Sequence, residues 1–525
     1  MPLRSLAPFK VPRRAAAAQV SQVFNVPAPV GGLNYRDPIA AMQPTDALTL
    51  TNFIPKQQGV ELRKGWKINT ETINYSVESI FSFKSPGQTK IFAAANGDIY
   101  DVTTDPATVA VSTTGSTDDE WHTTMFSTPA DNFLLAVSPG AGYWTYDTTS
   151  GWVQRSVTGL PSDVETVAVW KQRVWFTAKD DQNVYYLDTV NAITGTATSF
   201  PMGSLLRNGG SVAALINWTL DAGIGIDDHL VVVGTQGDVG VWAGTDPTTA
   251  STFGLKGVWY IGPVPEHGTF YTPFGGDVMI VSEFGLVPMS RLVNGQFGEQ
   301  QAGPAAKIQS VLGPLIKRLR GDKFWNVFSV PAEDILVISL PAEGGTYRQF
   351  GMNVTTGAWC LFDGMPLRCA TMVDGSLYFG TEDGYTCQGL TGSTDNALIN
   401  GTAGNAVLGE IQSAFQAFGS AANLKKFQMA RPIFISQAQP SVKLRMNTQF
   451  ATTSPGGAPT FFDAESAYWD SAIWNVASWV GDNTYQAWAG TSGLGYYGAL
   501  RMKVRGLPGT IFTSSHIMSE PGGVM

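Results

Sequence analysis

Five short acidic runs hold the residues best suited to chemistry: Asp118-Asp119-Glu120, Asp180-Asp181, Asp227-Asp228, Glu333-Asp334 and Glu382-Asp383. Two carboxyl groups flanking one bond can serve as acid and as base or nucleophile, the arrangement that hydrolyses glycosides. Most of these runs fall at expected hairpin turns, where a carboxylate keeps its water at little cost. A second pattern is "DAGIGIDDH", 221–229, where Asp221, Asp227 and Asp228 sit among glycines and offer hard oxygen ligands to calcium. The twelve-residue spacing of an EF-hand is not met, so a turn-rich loop is the simpler account. His122, His229, His267 and His516 are scattered and form no HxxxH or Cys/His ligand set. Cys360, Cys369 and Cys387 are odd in number and lack CxxC spacing. Free buried thiols of a protein made in a reducing cytoplasm are expected, with one disulfide among them left open. No G-x-S-x-G elbow and no phosphate-cradling glycine loop is present. The residues therefore imply no catalytic constellation, no cofactor, and no metal beyond the calcium candidate.

The elements that must carry these residues are strands. From 77 to 389 one unit recurs: a short apolar strand, a turn with Gly or Asp, and a second strand bearing an aromatic. "KIFAAANGDIYDVT", "HLVVVGTQGDVGVWAG" and "GSLYFGTEDGYTCQG" are examples. The Asn-Gly and Gly-Asp pairs suit hairpin turns that need positive φ. Glycine is abundant, at 58 residues, and charged residues are only 14%. Repeated hairpins without intervening helices predict a mainly β fold: a β-propeller of six or seven irregular blades, with an additional C-terminal β-domain and an extended N-terminal arm. The Ser-x-Asp-x-Gly-x-Thr-Trp box of sialidase-like propellers is absent.

The expected domains are a flexible basic arm over 1–26, a strap over 27–76 packing on the body or a neighbour, the propeller over 77–389, a Gly/Ala/Ser/Asn-rich linker over 390–423, and the C-terminal β-domain over 424–525. Two segments are expected to interrupt the propeller. One, 201–228, includes "SVAALINWTLDAG", readable as a strand or a short helix. The other lies near 305–320, an amphipathic helix broken at Gly313-Pro314 and ending in basic residues.

Charge is uneven along the chain. Residues 1–70 carry nine Lys/Arg and three Asp/Glu, residues 405–525 carry eight and six, and the middle carries 16 and 33. An acidic body cannot grip nucleic acid, because phosphate affinity comes from Lys and Arg. It can border nucleic acid as a wall that does not hold it, or simply keep the surface soluble. No run reaches about 18 apolar residues, so no membrane span is expected.

Large rings crowd one segment. "WDSAIWNVASW" sets Trp469, Trp474 and Trp479 five residues apart, a spacing that keeps to neither face of a strand nor one stripe of a helix. These rings suit either the core of the C-terminal domain or a contact with a neighbouring subunit, where Trp is favoured. "VGGLNYRDP", with Arg36 and Asp37 after two glycines, reads either as a strap onto a neighbour or as a surface turn held by its own ion pair.

Three long stretches in one order carry a resemblance: "PAPVGGLNYRDPIAAMQPTDALTLTNFIPKQQGVELRKGW" (27–66), "WTLDAGIGIDDHLVVVGTQGDVGVWAGTDPTTASTFGLKGVWYIG" (218–262) and "YWDSAIWNVASW" (468–479). Together they resemble the tail nozzle family of short-tailed bacteriophages (podoviruses), also called tail hub or tail tubular protein B. The resemblance implies a structural virion protein of the tail, made in the cytoplasm of the bacterial host and not an enzyme. It would be one subunit of a six-fold ring that continues the DNA exit channel, retains the packaged genome and passes it at infection. The implied partners are further copies of the chain, the portal or adaptor tail protein, tail fibre or spike proteins, and genomic DNA passing without sequence-specific binding. It implies no catalytic residues and does not indicate which residues line the channel. Two other readings stay open: a different tail component, such as a fibre adaptor or receptor-facing hub, and a carbohydrate-active propeller enzyme.

Overall fold

Asn96 and Gly97 join two strands, Gln88–Ala95 and Asp98–Asp101, with the paired left-handed φ values of +53° and +81° that a two-residue hairpin needs. Asp374 and Gly375 do the same between Cys369–Val373 and Ser376–Gly380, at +49° and +79°. Such turns link antiparallel strands throughout the computed structural model, which describes residues 21–221, 226–249, 251–295, 303–399, 404–460 and 483–522.

Six four-stranded units, two of them extended by further strands, are the blades of a β-propeller. Blade 1 spans 79–111, blade 2 122–155, blade 3 164–201 and blade 4 212–260. Blade 5 spans 326–362, and blade 6 combines three strands of 369–389 with Trp66–Thr70. A three-stranded sheet, 271–288, lies between blades 4 and 5. The sheets touch in chain order, and Cys369–Val373 of blade 6 returns to Ser79–Ser85 of blade 1, closing the ring. Blade 6 thus takes its outermost strand from far upstream, with Gly389 opposite Trp66. Between sheets lie apolar clusters: Phe176 and Tyr143 join blades 2 and 3, and Trp175, Leu215 and Leu230 join blades 3 and 4. Cys360, Cys369 and Cys387 are buried free thiols.

Additional strands lie beyond the blades. The last strand of blade 5, Trp359–Phe362, continues through Asp46–Thr51, Leu408–Ser413 and Gly498–Arg505 to Ser441–Thr448, making one nine-stranded sheet. A second sheet, of seven strands, centres on Lys425–Ser436 and Ile511–Pro521. Phe53, Leu62, Ile411, Phe434, Met502 and Phe512 are buried in one cluster with the core of blade 5. Sandwich and propeller therefore share a core.

Four expectations are corrected here. The C-terminal β-domain is built from both ends of the chain, because Gln22–Pro27, Phe53–Pro55 and Val60–Leu62 lie in its seven-stranded sheet. The arm does not reach residue 26: Gln22–Pro27 pairs with the last strand, from Gln22 opposite Ser519 to Pro27 opposite Ser514, and Val26 is buried beside Phe418 and Ile517. The linker over 390–423 contains Leu408–Ser413, a strand inside the nine-stranded sheet. The segment 201–228 is no interruption, since Val212–Asp221 begins blade 4.

The helix near 305–320 runs unbroken from Gln309 to Leu319 with Pro314 inside it. A proline withholds its bond only from the carbonyl four residues earlier, here that of exposed Ser310 in the first turn, where water can replace it. Leu312, Ile316 and Leu319 bury its apolar face. The remainder of the arm lies outside the described residues.

Candidate functional site

Every sheet of the ring presents the start of an inner strand to one end of the propeller axis. There the residues enclose a cavity of about 100 Å³. Glu78 comes from blade 1, Asp118 and Glu120 from blade 2, Glu165 from blade 3, and Glu266 with His267 from the segment before the three-stranded sheet. Five carboxyls on one small axis would repel one another if each stood alone.

Four are paired. Glu120 accepts from the Gly268 backbone N–H at 2.6 Å, and its other oxygen lies 3.1 Å from His267 Nδ1. Asp118 pairs with Lys323 at 3.1 Å, and Glu266 with Arg320 at 3.2 Å. Arg368 donates to both oxygens of Glu78, at 2.9 and 2.8 Å, while its guanidinium lies over the Phe324 ring. The Glu120 contacts join blade 2 to the segment ahead of the three-stranded sheet, with blades 3 and 4 between them on one side and blades 1, 6 and 5 on the other. The bridge thus crosses the axis.

Glu165 makes no hydrogen bond or ion pair with the described residues. Burial pushes its carboxyl up to about 7, and the neighbouring Glu120 charge adds to the rise. His267 is raised by its bond to Glu120. His122, on the same strand start as Glu120, accepts the Val167 N–H at 3.3 Å and is lowered to about 4 by burial, so it is neutral near pH 7. Together these groups can hold and exchange protons and order a handful of waters. Glu120, one of the two carboxyls that could act as acid and base here, is already committed to His267 and Gly268.

The acidic runs divide by position. Asp180-Asp181 and Glu382-Asp383 lie at hairpin turns, as expected. Asp118-Asp119-Glu120 does not. Asp119 is buried and accepts the Gly97 N–H at 2.7 Å, tying blade 2 to the turn of blade 1. Glu333 is also buried, paired with Lys64 at 2.7 Å. Sequence reasoning passed over Glu165 and Glu266, and weighed His267 only as a metal ligand. Their common signal is a charged residue at or just before the first strand of a sheet, the point that faces the axis.

Of the calcium candidates, Asp228 pairs with Lys171 at 3.2 Å and accepts from Thr219 Oγ1 at 2.8 Å. The side chains of Asp221 and Asp227 lie outside the described residues. Among the described residues no group of three or more His, Cys, Asp or Glu is arranged to hold a metal. Arg36 and Asp37 pair with each other at 2.8 Å, and Asn34 ties Asp37 to Asp46. This turn rests on the chain's own body, with the Tyr35 N–H donating to the Lys307 carbonyl. Trp469, Trp474 and Trp479 lie outside the described residues. Among those residues no helix is long and apolar enough to cross a membrane.

No family model and no curated protein matches the chain. Among the solved structures similar to it are two with low identity. The computationally designed Ika8 protein shares 14% identity at a TM-score of 0.35, over 61% of this chain and 98% of its own. BBS1N, solved in complex with ARL6DN, shares 12% at a TM-score of 0.39, over 63% of this chain and 99% of its own. Neither likeness bears on what this chain does.

Proposed function

We propose that the chain is a structural virion protein, one subunit of the ring-shaped tail nozzle or hub of a short-tailed bacteriophage. In this reading six copies enclose a continuation of the DNA exit channel. They hold the packaged genome and pass it at infection, and the ring is seated on a portal or adaptor protein and carries fibres or spikes. The reading rests on the resemblance of the stretches 27–66, 218–262 and 468–479. The structural observation that favours it is the bridged axis: Glu120 and His267 meet across one end of the propeller, where a duplex would have to enter a single subunit. A duplex whose major groove alone is about 12 Å wide must run between copies instead.

The middle of the chain, with 33 acidic and 16 basic residues, suits a lining that repels the phosphate backbone and lets it slide. Negative-stain imaging and mass measurement of the purified protein, alone and with the adaptor, test the proposal. Six-fold rings or tail-tip particles are expected. Monomers under both conditions that hydrolyse host-surface glycans would overturn it. A ring whose lining is neutral or basic would remove the acidic-wall part alone.

A further inference from the structure

We propose that the Glu120–His267 bridge, with Glu165 beside it, is a proton-operated clasp across the propeller axis. With protons bound it holds blade 2 to the segment ahead of the three-stranded sheet, and it loosens as they leave. This inference stands apart from the virion reading.

The geometry supplies the contact that opens and closes. Glu120 holds 263–270 through one backbone donor and one imidazole, at 2.6 and 3.1 Å, and both contacts span the ring rather than join neighbouring sheets. Glu165 lines the same cavity, and its carboxyl makes no hydrogen bond with the described residues, only longer-range attraction to His267 and Lys179. With His267 protonated and Glu165 neutral, the trio of Glu120, His267 and Glu165 carries no net charge. With both protons gone it carries two negative charges in a half-buried space, and the imidazole keeps at most an uncharged hydrogen bond to Glu120.

The other charges around the trio are engaged or fixed. Asp118 is tied to Lys323, Glu266 to Arg320 and Glu78 to Arg368. From blade 3 itself, Lys179 favours the Glu165 carboxylate and Asp180 opposes it. His122 stays neutral over the relevant range.

The direction follows from proton linkage. Glu165 is raised from 4.5 to about 7, and His267 is raised from 6.5. Between the unfolded and folded values the closed form holds protons that the open form has released. Closure is therefore fully favoured below those unfolded values and lost as pH rises through the folded ones.

Hydrogen exchange of the full chain, corrected for the intrinsic pH dependence of amide exchange, reads the opening of 116–122 and 263–270 at pH 6 and pH 8. In the unaltered protein, opening is expected to be about tenfold more frequent at pH 8, the effect of one proton-affinity unit. Glu165→Gln, which mimics the protonated carboxyl, is expected to shrink the rise in opening between pH 6 and pH 8, leaving only the part that His267 carries. His267→Gln is expected to open them at both pH values. Equal protection of the unaltered protein at the two pH values would overturn the clasp, as would a pH dependence undiminished in Glu165→Gln. If His267→Gln does not fold, Glu165→Gln alone decides.

Discussion

Arg63 has no exposed side-chain surface, yet every part of its guanidinium is engaged. Its two terminal nitrogens donate to Asp395 at 2.8 Å each, one also donates to the Asp363 carbonyl at 2.7 Å, and Nε donates to Asn52 at 2.8 Å. The cluster ties the loop after Val60–Leu62 to the chain around blades 5 and 6. Asp395→Ala leaves this cation buried without its countercharge, and a loss of about 3–5 kcal/mol is expected in urea unfolding. Lys84→Ala, which removes one half of an exposed pair with Asp374, is expected to change stability by less than about 1 kcal/mol. If the two substitutions cost the same, the ranking by burial is wrong. Nothing local in the sequence announces the Arg63–Asp395 pair, because the partners are 332 positions apart. The acidic runs were legible as residue types. Their environments were not, since Asp118-Asp119-Glu120 and Asp180-Asp181 look alike until the inner strands are placed around an axis.

Strands and turns were the most readable level. Asn96-Gly97 announces a hairpin by its chemistry, and the alternation around it supplies the strands. Gly97 has open space where a Cβ would go, so Gly97→Ala is expected to cost only the left-handed strain, about 1–2 kcal/mol. Gly237 has a similar φ of +89°, but a Cβ there would lie 2.0 Å from the Gly262 carbonyl oxygen. Gly237→Ala must also push two backbones apart, and a lower thermal midpoint than that of Gly97→Ala is expected. The reverse order would show that the 237–262 approach is not tight in solution. Two other elements misled for physical reasons. Val212–Asp221 lies among turn residues that hide its strand pattern, and the Gly313-Pro314 pair reads as a break although an early proline spares most helix bonds. Linker composition misled likewise, because Leu408–Ser413 is short and its pairing partners, Asp46–Thr51 and Gly498–Arg505, are remote.

At the scale of the molecule, the propeller was readable from repetition, whereas the sandwich was only half readable. Its N-terminal strands pair with residues more than 300 positions away, and periodicity carries no trace of that. The shared core has a thermodynamic consequence. Phe53 and Phe512 of the sandwich are buried in the same cluster as Phe350 and Trp359 of blade 5, so neither part has a core of its own at that junction. One cooperative calorimetric transition is expected for the sandwich and blades 5 and 6. Two well-separated transitions, with the sandwich melting first and those blades intact, would contradict the continuity. The pairing of Gln22–Pro27 with Ile511–Pro521 also fixes a schedule. On the ribosome, Gln22–Pro27 waits until the hundreds of residues up to its partner Ile511–Pro521 have been made. Trp66–Thr70 likewise waits for the blade it completes. A chain cut short before Ile511 therefore leaves the backbone of Gln22–Pro27 without its ladder, open to pairing with another copy.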